Sequence, residues 1–576
     1  MLDPNNISFE KLGFKAGLEV HHQINSKRKL FCHCKPALRT NPPDYLFERK
    51  FRPVLGEMGD FDEGMLIEYE KGYRVIYHAY SDCTCLYEQD EQPPFWPDLD
   101  AIYSGFELSH WLNCSALVDV AIVARKQYLD GSITTGFQRT LIVARDGWVE
   151  VNGKRVKITN LTVEEDAARK LKTENYGRTV YYNLDRLGIP LVEVITDHKD
   201  CSNPKDLKKL AEIIGLTLRL SGIGRTGIGS ARQDVNISIK GGDRVEIKGV
   251  QDLPMLDTLC RREAVRQDML IHIAKILKEQ GFKPDDLEHT YYEITEELPT
   301  ESIPEGLSVM AIRVPKFNGI LGLEIQPGKD FGQDVFEKAS LISGILVDHM
   351  FHSDELAETA QRKKKDTIPF LISLIDKKID NKIRKVLYLK DKDAYCLAMG
   401  KNSWTIHAMK KIIERLKYAI KGVPQETRRL LPNGNTEFLR VIHGKDRLYP
   451  DTDTPALDLD LQKIQHLKEQ VKKRPWELEK EFQEKYGLEF EHLQNLVHEN
   501  RLLEFIHIVN KNSISPKLVY SYLTETMKHL RRKGVDTSKI YLEEIMEDLK
   551  NAYSVEKPSI YDYAVAKYLQ EKGDKK

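Results

Sequence analysis

The stretch GLEVHHQ, residues 17–23, alternates Leu18 and Val20 with Glu19 and His21. Successive side chains of a strand point to opposite faces, so the stretch predicts a strand that buries one face and presents a carboxylate and an imidazole on the other. LVEVIT around Glu193 and VEIKG around Glu246 repeat the pattern, each setting one Glu between apolar neighbours. Two hairpins are predicted. In VEVNGKRVKI, Val149 and Val151 run into an Asn152-Gly153 turn and return through Val156 and Ile158. In DVNISIKGGDRVEIKG, a three-residue loop at 241–243 places Glu246 across from Ser238 and Lys248 across from Asn236, with Asp234 on the same face. The sequence reads as β-rich up to about residue 255. A helix follows from Met255 to about Gln280, then a boundary at Gly281, Pro284 and ELPTESIPEG. A mixed module carries helices near 336–349 and 406–420, and helical sequence runs from about Leu459, broken at Pro516.

Strand carboxylates taken singly read as the wet face of an antiparallel sheet. Taken together, Glu19, Glu193, Glu246 and Asp234, with Glu164 and Glu165 of LTVEEDAARK and with His21, read as a metal basin. Like charges on one surface repel unless a cation joins them, and Mg²⁺ takes a few carboxylates while keeping waters and substrate phosphates. His21 is an unusual Mg²⁺ ligand; a softer second ion and a proton shuttle are both open to it.

Upstream of the second hairpin lies SGIGRTGIGSARQDVN, whose Gly227, Gly229, Ser230 and Arg232 offer backbone and side-chain donors to phosphate oxygens. No Gly-Lys-Ser/Thr occurs there, so it is not a Walker A loop, and a plain flexible loop is the competing reading. Cys32 and Cys34 of FCHC and Cys83 and Cys85 of DCTC could supply four thiolates to a structural Zn²⁺, or remain buried thiols.

At 576 residues the chain is too long for one core, which predicts several domains. Eight cysteines in such a length form no disulfide framework and fit a reduced, cytoplasmic compartment. No run of about 18 apolar residues occurs, so no membrane association is expected. The net charge of −1 conceals an asymmetry: residues 57–100 carry twelve Asp or Glu against two basic residues, whereas 361–422 carry seventeen Lys or Arg against six acidic ones. The pattern fits cations bound at one place and a polyanion at another, or two solvated faces.

Six segments carry a resemblance, in this order: GLEVHHQINSKRKLFCHC, DGSITTGFQRTLIVARDG, LTVEEDAARK, NLDRLGIPLVEVITD, ARQDVNISIKGGDRVEIKGVQDL and VPQETRRLLPNGNTEFLRVIHGKDRLYPDTDTPAL. They resemble the GatB/GatE family, which comprises the E subunit of the archaeal glutamyl-tRNA(Gln) amidotransferase and the B subunit of its bacterial counterpart. The resemblance implies an α+β multidomain chain. It divides into a β-rich, cradle-like catalytic domain at 1–282, resumed at 422–458, an α/β insertion domain at 283–421 like that of bacterial aspartyl-tRNA synthetase, a helical domain at 459–515 and a tRNA-binding tail domain at 516–576. It implies a ligase that uses ATP and Mg²⁺ to convert Glu-tRNA(Gln) to Gln-tRNA(Gln) through a γ-glutamyl phosphate. Ammonia would come from an asparaginase-like partner, the D subunit, in a heterotetramer with two copies of each. Carried onto this chain, the catalytic group is Glu19, His21, Glu165 and Lys248, and the Mg²⁺ group is Glu19, His21, Glu164, Glu165, Glu193, Asp234 and Glu246. An aminoacyl-tRNA synthetase is disfavoured because neither HIGH nor KMSKS occurs; a non-catalytic tRNA-binding scaffold is the other alternative.

Overall fold

The hairpin expected at 149–158 forms: Val149 faces Val156 and Val151 faces Lys154 across a two-residue turn. Asn152 (φ 50°) and Gly153 (φ 75°) both take the left-handed conformation, the turn whose twist matches that of the flanking strands. A computed structural model describes residues 7–56, 59–174, 178–356, 370–442, 444, 447–511, 515–534 and 536–537. The basic run Arg362 to Lys365 and the part of the expected tail domain beyond residue 537 lie outside the described residues.

The second hairpin keeps its predicted faces but not its predicted pairing. Glu246 stands opposite Asn236 rather than Ser238, and the Lys248 ammonium reaches Asp234, 2.6 Å from its Oδ2. The register has slid by two residues because the connection is longer than three. Gln267 of the following helix accepts from Ile239 N–H at 3.2 Å and donates to Ile237 C=O at 3.2 Å, drawing the end of the strand away from its partner. An even slip leaves every side chain on its own face.

These strands belong to an eleven-stranded sheet. Its main path runs Thr436–Val441, Glu426–Leu430, Val245–Lys248, Ala231–Ser238, Lys15–Gln23, Pro190–Thr196, Lys154–Glu165, Phe137–Val151, Val123–Gln127 and Leu448–Pro450. The strands at the two ends of the path, Thr436–Val441 and Leu448–Pro450, are consecutive in the chain and joined by only six residues, 442–447. Nine strand spacings laid flat would span about 43 Å, whereas a connection of that length reaches at most about 25 Å. The sheet therefore curls until its edges approach, and one face becomes concave. Helix Leu99–Trp111 covers the Phe137–Val151 and Lys154–Glu165 strands, and Gly105 permits the approach: a Cβ there would lie 2.6 Å from Val163 Cγ2.

Two helices differ from expectation. Pro204–Ser221 is an 18-residue helix inside the stretch read as β-rich. The helix expected near 336–349 is Phe331–Ser343: a reciprocal cap between Asp330 and Gln333 starts it earlier, and Gly344 at φ 78° ends it. The expected helices at 255–280 and 406–420 are Met255–Glu279 and Asn402–Tyr418. Between residues 283 and 421 a separate antiparallel sheet runs Tyr292–Glu293, Ser308–Val314, Ala394–Gly400, Met350–His352.

The chain forms two compact units, Met1–Ala211 with Ile223–Leu467, and Glu212–Gly222 with Lys468–Lys576. In the second, Phe482, Tyr486 and Phe505 form an aromatic cluster with centroids 5.3–5.4 Å apart, among Leu216, Leu496 and Leu523. Pro516 occupies the first turn of helix Pro516–Ser521, where its missing N–H costs nothing. Among the described residues no helix is long and apolar enough to cross a membrane.

Within the first unit, a buried charge network joins the helix Phe331–Ser343 to the large sheet. Arg428 donates to Asp334 Oδ1 (2.7 Å) and Glu426 Oε1 (2.5 Å), while Arg266 pairs with Glu263 (2.8 Å) and Glu426 (3.3 Å). Removing one partner of such a network strands a buried charge. Asp334→Ala should therefore lower stability by about 3–5 kcal/mol, read as a large fall in thermal unfolding temperature; an unchanged temperature would exclude this network as a structural anchor.

Candidate active site

The central strand Lys15–Gln23 pairs with Pro190–Thr196 on one side and Ala231–Ser238 on the other. Register sets Glu19 opposite Asp234, and His21 between Glu193 and Arg232. Period two then gathers the predicted residues into two groups of three, with ligand atoms within 4.8 Å of one another in each: His21, Glu164 and Glu193; and Glu19, Asp234 and Glu246. Both groups lie on one sheet face.

Each group carries its own lysine. Lys126 reaches Glu164 and stands 3.6 Å from Glu193 Oε2; Lys248 Nζ lies 2.6 Å from Asp234 Oδ2 and 2.5 Å from Glu246 Oε1. Hydroxyls and an amide complete the shell. Thr140 donates to Glu164 at 2.6 Å, Thr162 to Glu193 at 3.2 Å, and Asn236 to Glu19 at 2.9 Å.

The electrostatics follow from this crowding. Burial and the charges of Glu246 and Glu193 outweigh Lys248 and raise the Glu19 carboxyl to about 7. Burial alone would lower the His21 imidazole, but the hydrogen bond (3.1 Å) and charge of Glu193, with Asp234 and Glu164, raise it to about 9. Burial opposes ionisation of Glu246, yet Lys248 and Arg440 bring it down to about 2. A face that raises one carboxyl and one imidazole while holding two lysines is short of positive charge.

Glu165 is not part of this face. It neighbours Glu164 in one strand and so points to the opposite side, where the Tyr87 hydroxyl donates to Oε1 and Arg139 N–H to Oε2 (2.9 Å). Tyr87 and Arg139 there line a cavity of about 300 Å³ with Arg125, Phe137 and Asp453. The expectation that the Glu164-Glu165 pair enters one basin is corrected to Glu164 alone.

The glycine-rich segment is a loop that leaves the end of the central strand. Arg225 N–H donates to Gln23 C=O, and Gln23 N–H donates to Ser230 C=O, both at 2.8 Å. Gly227 (φ 121°) and Gly229 (φ 85°) are left-handed and face open space, and Ile228 between them is fully exposed. The Ser230 hydroxyl donates to Gly227 C=O at 2.8 Å. Arg232 borders the basin beside His21, its guanidinium tethered to Asp166, while Arg225 is turned away to Pro36 C=O.

The cysteine group also differs from expectation. Cys32, Cys34 and Cys85 converge with Glu88 in place of Cys83. Cys83 sits in a turn in which its N–H and that of Thr84 both donate to Tyr80 C=O, which breaks the strand-like alternation that would send Cys83 and Cys85 the same way. Its carbonyl instead accepts from the buried Lys29 ammonium (2.8 Å), which also binds Glu88 Oε1 (2.5 Å). Hydrogen bonds from Cys32 and Cys34 push the Cys85 thiol well below its usual range. Three sulfurs and a carboxylate fit Zn²⁺, with Lys29 competing for Glu88.

Lys126, Thr162 and Arg440 reach the basin without any signal in the sequence that singles them out; they are ordinary polar positions on strands whose neighbours are set by long-range pairing.

This constellation is that of a tRNA-dependent amidotransferase catalytic domain: the chain belongs to the family of the GatB/GatE catalytic domain, whose pattern matches residues 14–465. It is similar to the E subunit of the glutamyl-tRNA(Gln) amidotransferase of Methanocaldococcus jannaschii, 39% identical over 552 residues that cover 94% of this chain and 84% of that protein. The corresponding E subunits from Pyrococcus furiosus (36% over 534 residues, 92% and 81%) and Methanopyrus kandleri (35% over 556 residues, 95% and 84%) are similar as well.

Cys85→Ser should remove one equivalent of bound zinc from the full chain, measured by elemental analysis, and Cys83→Ser should leave the content unchanged. Zinc lost from both variants would restore the four-thiolate arrangement.

Proposed function

We propose that the chain amidates the misacylated glutamate of Glu-tRNA(Gln) to give Gln-tRNA(Gln), in two steps on the concave sheet face. The single observation that carries this reading is the pair of three-ligand groups on neighbouring strands, each paired with a lysine. A glutamate side chain is a poor acyl donor. In the first step its carboxylate oxygen attacks the γ-phosphorus of ATP and ADP leaves; in the second, ammonia attacks the γ-glutamyl phosphate and inorganic phosphate leaves.

The oxygen-rich Glu19, Asp234 and Glu246 group suits Mg²⁺, and the lysines now beside both groups mark where positive charge is needed. Bound there, Mg²⁺ supplies charge neutralisation to the phosphoryl oxygens. The chain's own groups do the rest. Arg232 and the backbone N–H groups of Gly227 and Gly229, with Ser230, bind phosphate oxygens. Lys248 and Lys126 stabilise charge that spreads over the transferring group. Before a cation enters its group, His21 is held protonated by Glu193; a second cation bound by His21, Glu164 and Glu193 would displace that proton. Glu165 acts from the far side, orienting Tyr87 and Arg139.

Membership of the family supports the following partner and domain roles. The chain supplies no ammonia-releasing motif of its own, so an asparaginase-like partner, the family's D subunit, delivers ammonia in a heterotetramer with two copies of each. Residues 283–421 act as the aspartyl-tRNA synthetase-like insertion, and the basic stretch 361–422 together with the tail at 516–576 contacts the tRNA backbone. The cysteine group with Zn²⁺ clamps the segment around Cys32 to that around Cys85.

The test uses the purified chain with Mg²⁺, ATP and Glu-tRNA(Gln), ammonium chloride replacing the partner. Wild type should form Gln-tRNA(Gln), and Glu19→Gln should lose about a hundredfold or more in rate with tRNA binding retained. Tight tRNA binding without ATP-dependent product from wild type would support the scaffold reading instead.

A further inference from the structure

We propose that Asp330, His352 and Glu355 form a second, independent metal site, which binds one divalent transition cation of the Zn²⁺ type. The three residues lie in the 283–421 region, apart from the concave face and from the cysteine group. Asp330 caps helix Phe331–Ser343, His352 ends strand Met350–His352, and Glu355 follows three residues later. All three are buried.

Their donor atoms have the separation a shared ion needs. Ligands about 2 Å from a tetrahedral Zn²⁺ are about 3.3 Å from each other; His352 Nε2 stands 3.2 Å from Asp330 Oδ1 and 3.6 Å from Glu355 Oε1. Independently of that spacing, Asp330 Oδ2 is buried with no hydrogen-bond partner, although Oδ1 already accepts the helix-capping bond from Gln333 N–H at 2.8 Å. A buried carboxylate oxygen left unpaired is costly unless a cation meets it. The neighbouring cation does not: Lys329 is drawn to Glu337 (2.5 Å) and Asp334 (3.4 Å). Asp354, which also faces His352, is engaged by Gly322 N–H at 3.1 Å.

The chemistry favours a borderline cation over Mg²⁺, since one donor is an imidazole and Mg²⁺ prefers oxygen and retained waters. A proton on His352 would offset only one of the two carboxylate charges, whereas a divalent ion offsets both. Gly332 lies against the ring, and a Cβ there would stand 2.3 Å from His352 Cδ2, so the imidazole is pinned where it can serve. Bound metal would staple the start of the helix to the end of the strand.

The direct test is anomalous diffraction from Zn²⁺-soaked crystals of the wild-type full chain, recorded above the zinc absorption edge. A peak bonded to His352 Nε2 and an Asp330 oxygen is expected. No peak there overturns the proposal and leaves an imidazolium bridging two carboxylates. In solution, with Cys85→Ser as background to silence the cysteine group, Glu355→Gln should lower bound zinc by one equivalent; unchanged zinc content would also overturn it.

Discussion

The short connection between Val441 and Leu448 imposes the constraint on which the site depends. It joins opposite ends of the main path of the large sheet, which forces that sheet to curl and turns a row of side chains on one face into a concavity. On a flat sheet Lys126 and Arg440 would stand at opposite ends of the row. In the curled sheet both act on it: Lys126 holds Glu164 and Glu193, and Arg440 helps to ionise Glu246. Arg440 and Arg447 both lie over the Tyr128 ring, at 5.8 and 5.2 Å, which closes the same concavity from its two edges.

Concentrating five carboxylates on such a face has an electrostatic consequence. Some ionise well below the ordinary range because a lysine is in contact, and Glu193 is an example, held low by Lys126 and His21 against its burial. Others are pushed up, as Glu19 is. The face is therefore poised between accepting protons and accepting metal cations, the condition expected of a site that binds a polyphosphate together with its counter-ions. In the proposed reaction, preorganised charge of this kind would contribute to catalysis because it needs no rearrangement as the phosphoryl group moves.

Period-two alternation made the faces of Glu19, His21, Glu193 and Glu246 legible from the sequence, and the Asn152-Gly153 turn made one hairpin legible. Properties set by distant residues were not legible. The second hairpin slid by two residues because Gln267, on another element, takes the amide of Ile239. Glu165 separates from Glu164 by the same alternation, which the acidic pair in LTVEEDAARK obscures. Cys83 leaves the metal group because a local turn at Tyr80 overrides the spacing. The helix Pro204–Ser221 was missed although Leu207, Leu210, Ile214 and Leu218 recur at helical spacing. Lys126 and Arg440 could be found only once the strand order was known.

The proposed function requires two metal cations on the concave face, one in each of its two groups of ligands. Mn²⁺ binding to the full chain in the presence of ATP, followed by electron paramagnetic resonance for wild type, Glu193→Gln and Glu246→Gln, decides whether both are held. Two equivalents of tightly bound Mn²⁺ are expected in wild type and one in either variant. The same stoichiometry in all three proteins would contradict it.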